Sequence, residues 1–543
     1  MESQSEKYDT NSNMQYPVFK TVEELIIYGC ENAGPDRVML QKAGGGSLRV
    51  ADYMSNLNRI CNMLLDLGVR KGKNLGVYLP NCEEYSYFYL ASGRLGATIV
   101  PLNQFLKGET LSYVLNHCDI ELVVTTRDLF LEKIAPILSS LVSVKRLLFL
   151  DGDVPVEANR IRAAVFADLQ KYSEQFKPPS DVKGSDPFVI WLTSGTTGSP
   201  KGVVTTQEYL LQRACFSANY FKVNASDVIY FILPMYHIPF FCWGLPLTLM
   251  TGCKLVYLDW FSASKFWDHV ADYKATMVYS TGTVIPILLK KDVTANELAG
   301  RDSIRIWSAW PLDQPDVVYK RWPKAKFVEG YGLSEYALAT ITTHETEQDA
   351  VSQGPATPFT DLKICDQETG AELAPGSPGE IVLRSKLGPG LMMQGYYKSP
   401  EETAETIRDG WLYTGDMGYL DENKLLHFVD RLKDSVRVGG ENVPSVQLEA
   451  LLASHPKILE AAIVGAKGEL GHNEIVAHVV LKEEERLLPE EFFEFCAQKM
   501  PYFMVPKYLR IRKELPKTAT YKVQKFLLRE DGLKETHTRG KIK

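Results

Sequence analysis

Short apolar segments alternate with amphipathic helical segments through the first half of the chain. Val50 to Leu67 has the periodicity of a helix, Asn74 to Tyr78 is a short apolar run, Tyr85 to Leu95 is again helical, and Thr98 to Pro101 is a second apolar run. Strands and helices that take turns along a chain pack in layers, with the strands side by side in parallel sheets. The alternation therefore predicts an α/β fold.

The chain is too long for one hydrophobic core. Its 543 residues exceed the roughly 250–300 at which a single core stops growing. Beyond Arg431 the pattern predicts a small α+β unit, with helices at Ser445–Leu452 and Pro489–Lys499 and strands at Ala461–Val464, Glu474–Leu481 and near Lys507–Ile511. We predict a large multi-lobed N-terminal domain over residues 1–431, with layered sheets and helices, and a small C-terminal α+β domain over residues 432–543.

Composition and charge exclude several classes of protein. The chain has 60 Lys and Arg against 67 Asp and Glu, a net charge of −7, so it lacks the basic surface that a nucleic-acid partner requires. Nine cysteines lie far apart without a C-x-x-C pair, which indicates reduced thiols rather than zinc ligands or disulfides. The polar segment 1–17 does not read as a secretory signal. Three prolines and His237 interrupt the apolar stretch 231–250, which argues against a membrane span. We expect a cytoplasmic protein and leave a homo-oligomer open.

A loop rich in glycine and hydroxyl side chains follows the buried strand that we predict at Phe188–Leu192. It reads Thr193-Ser194-Gly195-Thr196-Thr197-Gly198-Ser199-Pro200-Lys201-Gly202. Glycines let backbone N–H groups approach a phosphate closely, hydroxyls add donors, and the lysine adds positive charge. It is not a Walker loop, because Pro200 and Gly202 stand where that motif has glycine and serine or threonine. The loop predicts a phosphate-binding site, with a flexible surface turn as the alternative.

Together with four later segments, this loop resembles the ANL superfamily, the adenylate-forming enzymes that include acyl-CoA synthetases and luciferases. The later segments are Tyr331-Gly332-Leu333-Ser334-Glu335, Trp411 to Asp416, Asp430 to Asp434 with Gly439 to Asn442, and Leu515 to Thr518 leading to Lys522. Phe261 to Trp267, Val438 to Val443 and Val505 to Lys513 further resemble the crotonobetaine/carnitine–CoA ligase branch. The resemblance extends from about the first helices to Leu528.

The resemblance implies which residues contact the phosphates and the adenine of ATP. The phosphate set is Thr193, Ser194, Gly195, Thr196, Thr197, Gly198 and Lys201. Tyr331, with Gly332 beside it, would stack on the adenine, and Ser334 would donate to a phosphate. Taken alone, Tyr331 is as readily explained as a packed core aromatic.

The resemblance also assigns the metal and the ribose contacts. Glu335 matches the magnesium-binding glutamate of the family, and a carboxylate is a suitable ligand for this hard cation. Without the resemblance, Glu335 reads as a carboxylate at a helix start. Asp416 matches the carboxylate that accepts hydrogen bonds from both ribose hydroxyls, and Arg431 would reinforce that contact. A lone Asp after Thr-Gly is otherwise a turn residue.

Near the C-terminus the resemblance implies a catalytic lysine and a hinge. Lys522 matches the lysine that bridges the acid and the α-phosphate during adenylation only. Lys433 falls on the hinge between the two domains, and Gly439–Gly440 would face CoA after the small domain rotates. This chain departs from the family pattern in having Tyr521 where glycine is common and Lys525 where arginine is usual, so the backbone around Lys522 is in question.

His237 matches a histidine that lines or gates the acyl pocket, and it joins Lys522 and Glu335 as a candidate catalytic residue. A hydrogen-bonded core histidine is the alternative for His237. The pocket itself would be formed by His237, Tyr279, Trp310 and Tyr336, with Tyr236 and Trp243 as further aromatics. Such rings could hold a trimethylammonium group by cation–π attraction or stack on an aryl acid, and the sequence leaves both open.

These assignments predict an AMP-forming acid–thiol ligase that uses ATP, Mg²⁺ and coenzyme A. A small carboxylic acid would react with ATP to give acyl-AMP and pyrophosphate, and the CoA thiol would then displace AMP. One alternative is a luciferase-like oxidative enzyme. Another is an adenylating enzyme that loads a carrier protein in trans.

Overall fold

The computed structural model describes residues 15–32, 34–159, 161–193, 200–310, 312, 315–344, 352–432, 434, 436–438, 441–467, 473–501, 504–517 and 523–539. The chain divides into two compact units, Met1–Asp361 with Leu383–Leu412 and Leu362–Val382 with Tyr413–Lys543. The predicted domain boundary after Arg431 lies further along the chain than this division and stays a prediction.

Two sheets organise the first unit, and within the described residues each has eight strands. The first sheet has the order β15 (Tyr336–His344), β14 (Lys326–Leu333), β13 (Ile306–Trp310), β12 (Met277–Thr281), β10 (Val228–Phe231), β11 (Lys254–Tyr257), β1 (Val38–Lys42) and β2 (Ser47–Arg49). Its six inner strands are parallel, and antiparallel strands flank them at both edges. The predicted parallel α/β architecture is therefore confirmed.

The second sheet of this unit contains the strand that leads into the glycine-rich loop. Its order is β18 (Gly395–Tyr396), β9 (Lys201–Thr206), β8 (Pro187–Thr193), β4 (Thr98–Pro101), β3 (Asn74–Tyr78), β5 (Ile120–Thr125), β6 (Arg146–Phe149) and β7 (Arg162–Val165). The strands from β8 to β7 are parallel, whereas β9 pairs with β8 and β18 in the antiparallel sense. The predicted strands at 74–78 and 98–101 are confirmed with the same bounds.

Helices connect and cover these strands. They are α1 (Val22–Asn32), α2 (Val50–Asp66), α3 (Glu83–Leu95), α4 (Gly108–His117), α5 (Arg127–Leu129), α6 (Gln207–Tyr220), α7 (Leu245–Thr251), α8 (Phe266–Tyr273), α9 (Val284–Leu289), α10 (Ala295–Gly300), α11 (Pro315–Arg321) and α12 (Pro400–Thr406). Local sequence fixes several ends: the Thr206 hydroxyl accepts from the Tyr209 N–H and caps α6, and Gly96 ends α3 in the left-handed conformation.

The apolar stretch 231–250 does not form one helix. β10 ends at Phe231, a π-helical turn spans Phe240–Gly244, and α7 begins only at Leu245. None of the helices in the described part of the chain has the length and apolarity needed to cross a bilayer. All nine cysteines are free, and seven of them are buried.

Another sheet has five strands within the described residues. Its order is β16 (Thr360–Cys365), β17 (Gly379–Ser385), β20 (Trp411–Leu420) and β19 (Ile407–Arg408), with β21 (Leu426–Arg431) also paired to β20. The second unit further contains the hairpin β22 (Val436–Val438) and β23 (Glu441–Val443), the sheet β24 (Ile458–Lys467), β25 (Asn473–Leu481), β26 (Tyr508–Arg512) and β27 (His537–Thr538), and the helices α13 (Ser445–Ala453), α14 (Pro489–Lys499) and α15 (Lys525–Glu530). This is the α+β pattern predicted from the sequence.

Each unit has its own hydrophobic core. In the first unit, Trp307 and Trp322 are almost fully buried against Phe327 on one face of the first sheet. In the second unit, Leu448 and Leu452 of α13 pack with Phe492 of α14 over the sheet that contains β24 and β25. Burial of these side chains stabilises the scaffold that carries the candidate site residues.

Candidate active site

A β-hairpin brings the two ends of the glycine-rich loop together. Thr193, the last residue of β8, pairs directly with Lys201, the first residue of β9. The predicted phosphate contacts Ser194, Gly195, Thr196, Thr197 and Gly198 lie outside the described residues. The strand before the loop has the bounds Pro187–Thr193 and includes the predicted run 188–192.

Lys201 lies between a carboxylate and an aromatic ring. Its Nζ is 3.0 Å from Oε1 of Glu402, and it sits 4.9 Å from the ring centroid of Tyr396. An ammonium group is attracted both to the carboxylate and to the electron-rich face of the ring. A cation is therefore held where the second end of the loop enters β9.

Glu335 is held by the same tyrosine. The Tyr396 hydroxyl donates to Oε1 of Glu335 at 2.9 Å, and the Met393 N–H donates to the Glu335 carbonyl at 3.0 Å. Burial raises the pKa of the Tyr396 hydroxyl, and the neighbouring Glu335 charge raises this pKa further. The phenol therefore keeps its proton and acts as a donor to the carboxylate at neutral pH.

The turn that carries Glu335 joins two antiparallel strands. Leu333 pairs with Tyr336 across it, so Ser334 and Glu335 form the tip of the β14–β15 hairpin. Tyr331 is 7% exposed, and its N–H donates to Oγ1 of Thr340 at 3.0 Å. A side chain at Gly332 would collide with the backbone, because its Cβ would lie 2.7 Å from the Leu338 nitrogen. This close approach explains why residue 332 is glycine, and no contact with a ligand is needed to explain it.

Three aromatic residues of the predicted acyl pocket meet on one face of the first sheet. The rings of Trp243 and Tyr279 are parallel with centroids 6.5 Å apart, and the rings of Trp243 and Trp310 are 6.0 Å apart. Trp310 ends β13, and its indole would lie 3.1 Å from a Cβ at Gly330. Trp243 Nε1, the Tyr279 hydroxyl and Trp310 Nε1 are buried without a hydrogen-bond partner in the described structure. Buried donors normally have partners, so these three are free to bind a polar ligand.

The structure does not group Tyr336 with these rings. Its hydroxyl is 3.0 Å from Oγ1 of Thr360, and the Arg213 guanidinium lies 5.2 Å from its ring centroid. Its role in an acyl pocket stays a prediction.

His237 is partly buried beside Tyr236, with ring centroids 4.5 Å apart. Burial lowers the pKa of His237 to about 4, so its imidazole is neutral at pH 7.

In the second unit, Asp416 and Arg431 face each other across two antiparallel strands. The register places Asp416 of β20 opposite Arg431 of β21, and Arg431 Nε lies 3.7 Å from Asp416 Oδ1. Asp416 is 8% exposed. The next carboxylate, Asp430, accepts from the Ser445 N–H and the Ser445 hydroxyl at 2.5 and 2.7 Å, so it has a structural role.

The catalytic, hinge and CoA-facing residues Lys522, Lys433, Gly439 and Gly440 lie outside the described residues. The residues around Lys522 are anchored: the Gln524 N–H donates to the Pro516 carbonyl at 2.8 Å, and Lys517 pairs with Val523. Lys525, which stands where the family has arginine, donates to the Ser445 hydroxyl at 2.5 Å and pairs with Glu449 at 2.7 Å.

The sequence reasoning missed Tyr396, Glu402 and the partners of Lys525. Tyr396 is adjacent in sequence to Gly395 and Tyr397, and nothing in that spacing points to Glu335, which is 61 residues away. No cluster of three or more His, Cys, Asp or Glu suited to a metal is present in the described ranges.

Comparison with protein families shows to which family the chain belongs. The sequence profile of the AMP-binding enzyme family matches residues 30–397, and that of the AMP-binding enzyme C-terminal domain matches residues 447–522. The chain belongs to the AMP-binding enzyme family. The family that the motifs predict is thus confirmed, and the chain is an enzyme of that family.

Curated members of the AMP-binding family match along nearly the whole chain. Crotonobetaine/carnitine–CoA ligase of Escherichia coli O157:H7 (strain EC4115 / EHEC) is 30% identical over 503 residues, which cover 92% of this chain and 95% of that protein. The ligase of the same name from Citrobacter koseri is 29% identical over 504 residues, which cover 92% of this chain and 96% of that protein. Among solved structures, ATP-bound MatB from Rhodopseudomonas palustris has a TM-score of 0.81 at 24% identity, covering 94% of this chain and 98% of that chain. This likeness confirms the predicted fold class.

Proposed function

We propose that this AMP-binding enzyme is an acyl-CoA synthetase that acts in two steps. In the first step a carboxylate oxygen of the acid attacks the α-phosphorus of ATP, and pyrophosphate leaves, giving acyl-AMP. In the second step the CoA thiol loses its proton and attacks the acyl carbon, and AMP leaves. The product is an acyl-CoA thioester.

One observation carries the nucleotide half of this proposal. Lys201 at the end of the glycine-rich loop and the carboxylate of Glu335 both contact Tyr396. Attack of a carboxylate on a phosphate brings two anions together, so positive charge must be available at that place. Lys201 is the described cation nearest to the loop ends, and Lys522 would add a second cation in this step.

Glu335 fits a magnesium ligand by its chemistry. Mg²⁺ takes oxygen ligands, keeps several waters, and is typically held by one or two carboxylates together with substrate phosphates. Tyr396 donates to Oε1 of Glu335 and so holds the carboxylate, and the nucleotide would supply further oxygens to the ion. When bound, the ion neutralises charge on the phosphates. Thr193 to Gly198 and Ser334 would donate to the same phosphates.

Asp416 and Arg431 would hold the ribose. Two hydroxyls need two acceptors on one rigid group, and a carboxylate provides them. The antiparallel register keeps Asp416 in place, because a one-residue slip of β20 would point it to the opposite face. Tyr331 would contact the adenine.

Different observations support CoA as the acyl acceptor and the kind of acid that the enzyme uses. CoA is supported by the relatives, whose names are those of CoA ligases. For the acid, Trp243, Tyr279 and Trp310 offer flat apolar faces and three buried donors, which an acid with a hydrogen-bond acceptor would satisfy. Neutral His237 would add no charge to this pocket.

A panel of carboxylic acids, assayed with and without CoA, tests the proposal. It should contain carnitine, crotonobetaine, aryl acids with and without an acceptor on the ring, and short aliphatic acids. We expect acid-dependent release of pyrophosphate, and a thioester and AMP only when CoA is added. Pyrophosphate release with oxygen uptake and no thioester would point to the luciferase-like alternative. Acylation of an added carrier protein instead of CoA would point to carrier loading, and no pyrophosphate release with any acid would contradict all three.

A further inference from the structure

Tyr396 connects the Lys201 cation with the Glu335 carboxylate, although neither the motifs nor the comparisons assign it a role. We propose that Tyr396 is a positioning residue that orients the Glu335 carboxylate and thereby sets how tightly the site binds Mg²⁺·ATP. This inference rests on the proposed function, in which Glu335 is the protein ligand of the metal.

Backbone contacts fix the tyrosine beside the hairpin. Tyr396 pairs with Val203 of β9, and its N–H donates to Oγ1 of Thr403 at 2.9 Å. The N–H of Met393, in the same segment, donates to the Glu335 carbonyl at 3.0 Å. The segment and the hairpin are therefore joined through the main chain as well as through the side chain, so the phenol has a defined position relative to the carboxylate.

The hydrogen bond from Tyr396 restrains the Glu335 carboxylate. Oε1 of Glu335 accepts from the phenol at 2.9 Å, which fixes the rotation of the carboxylate about its last bond. A carboxylate restrained in this way meets a cation in one orientation. Loss of the phenol removes this restraint, and binding a metal would have to supply it at a cost in affinity.

Lys201 lies over the ring of the tyrosine and pairs with Glu402. The ammonium lies over the ring at 4.9 Å and pairs with Glu402 at 3.0 Å. A cation over the ring also makes the phenol a stronger donor. Tyr396 therefore contacts both Lys201 and Glu335, the two residues that support the adenylation step of the proposed function.

The adjacent residue supplies a matched control. Tyr397 also donates to a carboxylate, Oδ2 of Asp119, at 2.9 Å, and it accepts from Nδ2 of Asn74 at 3.1 Å. Tyr397→Phe therefore removes the same kind of hydrogen bond one residue away without touching Glu335. Any general effect of losing a partly buried phenol in this segment appears in both variants.

Two measurements on the full chain test the inference. One is the Mg²⁺ concentration for half-maximal pyrophosphate release, and the other is Mn²⁺ binding, followed by electron paramagnetic resonance, in the presence of α,β-methylene-ATP. For Tyr396→Phe we expect both constants to rise about tenfold, the effect of one charge-assisted hydrogen bond. The turnover at saturating Mg²⁺ and the thermal midpoint should stay close to those of the unchanged chain. For Tyr397→Phe both constants should be unchanged.

A double-mutant cycle separates positioning from a general structural effect. In the background of Glu335→Gln, the change Tyr396→Phe should alter Mn²⁺ binding no further, because the group it positions is gone. Equal Mn²⁺ affinity of Tyr396→Phe and the unchanged chain would overturn the proposal, and so would additive effects in the cycle. If the unchanged chain released no pyrophosphate with any acid, the proposed function would fail, while the Mn²⁺ titration would still decide the role of Tyr396.

Discussion

Asp416 lies directly opposite Arg431 in the antiparallel pairing of β20 with β21, with Arg431 Nε 3.7 Å from Asp416 Oδ1. The two residues are 15 positions apart and belong to different sequence motifs. The register of one hairpin therefore brings the Thr-Gly-Asp segment and the Asp-Arg segment together in a single ion pair.

Replacing Asp416 should weaken ATP binding more than it slows turnover. Asp416→Asn keeps the size of the side chain but removes its charge and one of its two acceptors. Loss of about 1.5–3 kcal/mol of charge-assisted hydrogen bonding would raise the KM for ATP roughly tenfold to a hundredfold. Pyrophosphate release measured at varied ATP concentrations gives this KM. Glu422→Gln, in the exposed turn after β20, should leave KM unchanged, and an equal KM in both variants would remove Asp416 from the ribose site.

Lys522 should act in adenylation alone. Lys522→Ala is expected to abolish pyrophosphate release, because the cation that bridges acid and α-phosphate is lost, and to leave CoA attack on synthetic acyl-AMP largely intact. Lys513→Ala changes an exposed lysine of the same segment and should affect neither half-reaction. Equal loss of both half-reactions in Lys522→Ala would contradict this division.

Trp310 should control the size of acid that the enzyme accepts. Its indole fills the space over Gly330, so Trp310→Ala would open room at the end of β13. We expect kcat/KM for a bulkier acid, relative to a smaller one, to rise about tenfold or more, since one methylene in an apolar pocket is worth roughly 1–3 kcal/mol. The KM for ATP should change little. Trp260→Ala removes a tryptophan that is 60% exposed and should not alter acid preference.

Arg321 should matter for stability because it compensates a buried charge. Glu297 is fully buried and accepts from Arg321 Nε and from Trp322 Nε1 at 2.7 and 2.8 Å. Arg321→Ala leaves that carboxylate without its main partner, which costs about 3–5 kcal/mol. Lys324→Ala breaks an exposed pair with Asp302 and should cost less than about 1 kcal/mol. Urea unfolding followed by tryptophan fluorescence compares the two variants. Similar urea midpoints for Arg321→Ala and Lys324→Ala would contradict the prediction.

The second unit should lose stability in mild acid through His478. Burial lowers the pKa of His478 from 6.5 to about 4, and Arg512 Nε donates to its Nδ1 at 2.9 Å. Between these values the unfolded chain binds a proton that the folded chain does not, so stability falls as the pH drops from 6.5 toward 4. One such group contributes at most about 1.4 kcal/mol per pH unit.

Thermal midpoints at pH 7 and pH 5 check the contribution of His478. His478→Gln keeps an acceptor for Arg512 but cannot take a proton, so its midpoint should fall less between these pH values than that of the unchanged chain. His537→Gln, at an exposed position, should follow the unchanged chain. An equal fall in all three would assign the acid sensitivity to other groups.

Local patterns were sufficient for much of the fold. The predicted segments 74–78, 98–101 and 489–499 have the same bounds in the structure, and 50–67 differs by one residue. Periodicity, capping residues and turn residues act over a few positions, so they can be recognised from the chain alone. The same holds for the motifs, whose order identified the family.

The partners of the site residues could not be recognised in this way. The sequence alone determined which segments become strands and helices and to which family the chain belongs. Only the tertiary structure decided that Tyr396 donates to Glu335, that Lys201 pairs with Glu402, and that Trp243 stacks on Tyr279. These contacts depend on which strands become neighbours and in which register, and sheet order is set by packing of the whole unit rather than by the residues next to each motif.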